Sequence, residues 1–258
     1  MLSVHLHQDR VAAARAAAKA AVPVVKAKEL SARHFFLRRF CMKIKWCGHA
    51  CFLITTDDGI KILTDPYEPG GYGGALAYGK VEDEADVVLV SHDHADHNYT
   101  QNLKGKPSVV KGAGKHRVRG LEIKGIATYH DASQGKERGN NVIFCFTADG
   151  FNLCHLGDLG HMVSKKEIAE IGSVDILFIP VGGFYTIDAK TAGEVVKTLK
   201  PRISIPMHFK TKKCSFPITG VEEFIKDKSN YKKTGKSEVD ITKPSLPQSE
   251  IWVLSHAL

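Results

Sequence analysis

No apolar run in this chain approaches the roughly 18 residues a membrane-spanning helix needs, since the longest, such as 87–90 and 175–181, are a few residues each. Membrane insertion is therefore not expected. Cysteine is sparse and scattered: Cys41, Cys47, Cys51, Cys145, Cys154 and Cys214 form no C-x-x-C pair, which excludes a structural zinc ribbon. Without a secretory signal these thiols read as reduced, small core residues, so the expected compartment is the cytoplasm. Acidic residues are nearly missing from the first 41 positions, which hold eight Lys/Arg against two acids. That segment carries +6 of the formal +8, leaving +2 on the remainder. A body so close to neutral lacks the broad basic field of a nucleic-acid binder.

What is present is one domain's worth of chain, 258 residues with 43% hydrophobic and 25% charged content, ordinary for a globular protein. Two segments are expected. Residues 1–41, Ala- and Arg-rich with a helical run over 11–22 interrupted by Pro23, form an extension, either a targeting peptide or the product of an upstream start. Residues 42–258 form the domain. There the spacing predicts strands over 43–46, 51–55, 60–64, 86–91, 108–111, 121–128, 141–147, 151–156, 176–180, 203–206 and 251–255. Thr56-Asp57-Asp58-Gly59 marks a hairpin. Helices fit 165–171, 189–199 and 221–229, so the class is α/β, with sheets covered by helices.

The decisive segment is Ser91-His92-Asp93-His94-Ala95-Asp96-His97, directly after an apolar strand. A solvated loop has no need of three imidazoles in six residues. In an extended loop His92 and His94 point the same way and can share one ion, while Asp96 and His97, at the opening of an expected helix, can turn to a second.

The H-x-H-x-D-H pattern resembles that of the metallo-β-lactamase superfamily, and further landmarks follow in order over residues 42–208. The resemblance implies a four-layer αβ/βα sandwich in which His92, His94 and His130 hold one metal and Asp96, His97 and His208 another. It makes Asp158 the bridging carboxylate and Asp65 a buried support. Catalysis would rest on Asp96 and Asp158, with a bridging hydroxide as the nucleophile. Trp46–Phe52, Gly157–His161 and Pro180–Asp188 are most similar to the ascorbate-6-phosphate lactonase-like group.

Nitrogen and oxygen donors without thiolate admit two divalent ions, zinc first, with manganese or iron as alternatives. The expected reaction is hydrolysis of a small ester, lactone, amide or phosphoester. Ribonucleases of this superfamily share the ligands, but a body at +2 without a domain-sized insertion argues against RNA or DNA as substrate. A non-catalytic metal-binding protein is the third reading, and the complete ligand set argues against it.

His49, His161 and Tyr185, beside glycine turns, are expected as substrate contacts or as plain packing residues. Lys210 and Lys212 follow His208, and Lys104, Lys106, Lys111, Lys115, Arg117, Arg119 and Lys124 lie between ligand segments, so a small anionic substrate is one expectation and a solvated basic face the other. The sequence leaves oligomeric state open.

Overall fold

The computed structural model describes residues 41–258. The expected targeting or upstream-start extension lies outside the described residues except for Cys41. That residue opens the first strand and pairs with Thr242.

Two sheets form the core. The first contains β1 (Cys41–Gly48), β2 (Cys51–Thr55), β3 (Lys61–Thr64), β4 (Val87–Val90), β5 (Ser108–Lys111) and β13 (Glu238–Thr242), in the order β13-β1-β2-β3-β4-β5. The second contains β6 (Gly114–Val118), β7 (Leu121–Tyr129), β8 (Asn140–Ala148), β9 (Phe151–His155), β10 (Ile176–Pro180), β11 (Ile203–Met207), β12 (Tyr231–Lys233) and β14 (Glu250–Val253). Their order is β12-β14-β11-β10-β9-β8-β7-β6, parallel from β9 to β11 and antiparallel from β6 to β9. The helices are α1 (Lys165–Ile171), α2 (Ala189–Leu199) and α3 (Val221–Ile225).

Alternation along the strands explains the layering. Met42, Ile44, Trp46, Phe52 and Ile54 belong to one buried cluster together with Phe144 and Phe178 of the second sheet. Phe52 meets Phe178 across the interface with ring centroids 4.6 Å apart. The alternate residues Cys47, Cys51 and Leu53 join a second cluster with Tyr67, Leu76, Tyr78 and Cys214 on the other face of the first sheet. This is the two-sheet core of the expected αβ/βα sandwich. Among the described residues, the second cluster is closed by irregular segments rather than by helices.

Both longer helices start on capping side chains. Ser164 and Glu167 form a reciprocal capping box on α1, and Asp188 accepts from Thr191 N on α2. The third ends at Ile225 rather than near 229. The Thr56–Gly59 hairpin forms, with Gly59 at φ +90°. Strands β6, β12 and β13 escape the periodicity argument: the exposed charged residues of β6 and β12 and the edge position of β13 hide any core-facing stripe.

Candidate metal centre

The helix expected to open at Asp96 is absent. His94 O instead accepts from His97 N and Asn98 N, closing a single turn that swings Asp96 and His97 inward. Both become buried. The other site residues arrive from the ends of neighbouring strands: Asp65 after β3, His130 after β7, Asp158 after β9 and His208 after β11. His208 N donates to His49 O (3.2 Å), which ties the β1–β2 turn of one sheet to the end of β11 in the other. His49, Asp65 and His208 all sit at positive φ, at 52°, 37° and 50°. Non-glycine residues held there cost conformational energy, and such strain gathers at functional sites.

Three groups of side chains could each hold an ion, with donor atoms inside every group within 4.8 Å of one another. They are His92, His94 and His130; His49, Asp96, His97 and His208; and His92, His97 and Asp158. Two ligands at about 2.0–2.1 Å from a zinc ion fall within such a span. Asp158 Oδ2 lies 3.2 Å from the Nε2 atoms of His97, His130 and His208 and 4.0 Å from that of His92, so it stands between the groups. The seven residues picked from sequence are thus brought together, and His49 joins them. The buried side-chain atoms without a hydrogen-bond partner, among the described residues, are His49 Nδ1, His97 Nε2, His130 Nδ1, Asp158 Oδ1 and His208 Nδ1. All lie in this cluster. Buried polar groups left without a partner need an explanation, and a bound metal at this cluster supplies one for Asp158 Oδ1 and His97 Nε2. The donor set, imidazole nitrogens and carboxylate oxygens, fits divalent metal.

A supporting frame aims these groups. Asp65 accepts from Ser91 N and Ser91 Oγ (both 2.7 Å) and lies 3.0 Å from His97 Nδ1, which directs His97 Nε2 towards Asp158. Ser91 Oγ also contacts His92 Nδ1 (2.9 Å). Asn141 accepts from Asp158 N (2.9 Å) and donates to Thr128 Oγ1 and Leu156 O. Gly157, at φ +55°, lets that chain pass, because a Cβ there would stand 2.3 Å from Asn141 Oδ1. His155 accepts from Gly157 N and donates to Ala50 O, both at 3.1 Å. Ser91, Asn141, His155 and Tyr72 were not singled out from sequence. A serine beside the histidine run and a histidine three residues before Asp158 were the available hints.

Electrostatics favour cations. Burial pushes His49 down to about 4 and His92 down to about 3, in each case helped by a neighbouring imidazole, and burial also lowers His94. Neutral imidazole is the ligand form. Burial opposes charge on Asp65, Asp96 and Asp158 as well, yet surrounding histidines hold all three below the usual carboxylate range. Burial works against a charged His97 too, but Asp158 and Asp96 outweigh it and raise its value.

Each of the three candidate contacts, open between substrate binding and packing, has partners within the protein. His49 is fully buried, with Nε2 3.1 Å from Asp96 Oδ2, and belongs to the ligand cluster rather than to a substrate surface. His161 accepts from Tyr129 N (3.2 Å) and contacts Met162 O (3.0 Å), so both ring nitrogens serve the backbone. Tyr185 packs on Phe216 (5.6 Å), which packs on His49 (5.9 Å), so it buttresses the site wall. Much of the basic patch is also accounted for locally. Lys104 pairs with Glu82, Lys111 with Asp93 and Arg119 with Asp86, while Lys124 donates to Glu170 O. Lys210 and Lys212 are exposed and have no ion pair among the described residues.

Facing sheets with a buried His/Asp centre at their strand ends define the class, a protein of the metallo-β-lactamase fold. Residues 43–208 match the beta-lactamase superfamily domain. The chain belongs to this superfamily and, within it, to the UPF0173 metal-dependent hydrolase family. It is 32% identical to a member from Carboxydothermus hydrogenoformans over 66% of this chain and 85% of that one. A Thermococcus onnurineus member is 30% identical over 79% and 97%. Among solved structures, a Thermotoga maritima protein assigned to the Zn-dependent hydrolases of the metallo-beta-lactamase superfamily aligns with TM-score 0.68 and 37% identity, covering 83% of this chain and all of that one. No helix among the described residues is long and apolar enough to cross a membrane.

Proposed function

We propose that the protein hydrolyses a small ester, lactone, amide or phosphoester at a two-ion centre. His92, His94 and His130 would hold one ion and Asp96, His97 and His208 the other, with Asp158 between them. The observation that carries this is the placement of Asp158 Oδ2 3.2 Å from three imidazole nitrogens belonging to both groups. Zinc is favoured by the donor set and by the Zn-dependent assignment of the Thermotoga relative. A bound ion pair supplies Lewis acidity and brings the pKa of a shared water near neutrality.

The side chains do the rest. Asp96 has Oδ1 engaged by the Tyr72 hydroxyl (3.0 Å) and Oδ2 by His49, and is held far below the carboxylate range. It therefore orients the attacking water as a fixed anion and is a poor proton acceptor. Asp65 fixes the His97 tautomer, and Asn141 fixes the backbone that presents Asp158. Phe216 and Tyr185 wall off one side.

The resemblance of Trp46–Phe52 and Pro180–Asp188 to ascorbate-6-phosphate lactonases supports lactones or phosphorylated compounds within this range. The unpaired Lys210 and Lys212, next in sequence to His208, support a small anion. Screening the zinc-loaded protein against lactones, phosphodiesters and RNA tests the proposal. Turnover of a small substrate that is lost in Asp158→Ala is expected. Turnover of RNA alone, or of nothing by a fully loaded protein, would overturn it.

A further inference from the structure

Resting on that hydrolase reading, we propose that Arg138 is the residue that selects an anionic substrate, by binding a carboxylate or phosphate carried one group away from the scissile bond. A cavity of about 350 Å³ counts His92, His94 and Arg138 among its lining residues, so the arginine borders the same space as two metal-site imidazoles. Lys111 and Asp93 line it too, but they neutralise each other at 2.6 Å. Among the described residues the ion pair of Arg138 is with Glu137 Oε2, a long 3.4 Å contact, while Glu137 Oε1 accepts from Ser133 Oγ at 2.6 Å.

The guanidinium is also positioned. It lies over the Tyr185 ring, 5.9 Å from the centroid, and Tyr185 leads through Phe216 to His49. The backbone beneath it is fixed: Asp131 accepts from the amides of Ser133, Gly135, Glu137 and Arg138 at 2.7–3.0 Å. Gly139 O, the next residue, accepts from His130 N at 3.0 Å. Arg138 is therefore tied in sequence and by hydrogen bonds to the segment that carries His130. A planar fork lying over an aromatic ring, with only a long ion-pair contact, is suited to grip two oxygens of a carboxylate or phosphate.

The test uses the zinc-loaded full chain and two esters that differ only in charge, methyl benzoate and monomethyl terephthalate. The wild type should prefer the terephthalate ester. Arg138→Ala should cut that preference by roughly tenfold or more, mainly through KM, as expected for loss of a charge-assisted pair. Arg138→Lys should restore only part of it. Added salt should erode the preference in the wild type and leave it flat in Arg138→Ala. A preference in Arg138→Ala within twofold of wild type overturns the proposal, and a loss in Lys210→Ala/Lys212→Ala instead would move the anion site there while leaving the hydrolase reading intact. If neither ester turns over, calorimetric titration of terephthalate reads the same contact. Binding at least tenfold weaker in Arg138→Ala supports the assignment, while equal binding overturns it, and the hydrolase reading is judged separately by the lactone and phosphodiester screen.

Discussion

Asp65→Asn changes one atom, and its consequence can be followed through the site. In the wild type Asp65 accepts from Ser91 N and Ser91 Oγ (both 2.7 Å), and Oδ2 lies 3.0 Å from His97 Nδ1. The asparagine oxygen must stay at the Oδ1 position, because Ser91 N can only donate. The new NH2 then faces Ser91 Oγ, which can rotate to accept, and His97 Nδ1, which must give up its proton to do so. That proton moves to His97 Nε2, the atom 3.2 Å from Asp158 Oδ2 and the one needed for a metal. Loss of such a supporting partner lowers metal affinity by about 10–100-fold, or roughly 1.4–2.8 kcal/mol. Chelator competition with zinc on both proteins measures it, with circular dichroism to show that the fold survives. Wild-type affinity in a folded Asp65→Asn protein would refute the tautomer argument.

Two further outcomes follow from the frame around the site. Gly157→Ala forces a Cβ to within 2.3 Å of Asn141 Oδ1 and 2.6 Å of Ser91 Cβ, at φ +55°. Left-handed strain of about 1–2 kcal/mol and overpacking of about 1–3 kcal/mol should appear in urea unfolding, and a change below about 0.5 kcal/mol would contradict the packing. Four backbone amides hold Asp131 down to about 2 against burial, from an ordinary 3.8. A depressed folded-state value stabilises fully above about pH 4 and is lost as pH falls towards 2. Asp131→Asn should therefore lower Tm at pH 7, with the gap to wild type narrowing between about pH 4 and 2. A gap independent of pH would count against the amide cage.

The sequence shows most of the fold because buried strands alternate or run apolar between turns, and the candidate ligands because they crowd one loop and recur at strand ends. Its failures share a physical cause. His49 reads as an ordinary histidine after a glycine, since nothing local says that β11 will place His208 against it. The turn at His94 looks like a helix start because helix and single turn use the same first hydrogen bonds. Ser91, Asn141 and His155 act through contacts between residues distant in sequence. Arg138 is one cation among many until the Asp131 cage and the Tyr185 ring fix where it lies.

The central claim is a two-ion centre bridged by Asp158. Elemental analysis of the full chain after zinc loading and desalting, beside Asp158→Ala, tests it most directly. The account predicts about two equivalents per chain in the wild type and a loss of at least one in a still-folded Asp158→Ala protein. One equivalent or none in the loaded wild type, or an unchanged metal content in Asp158→Ala, would contradict it.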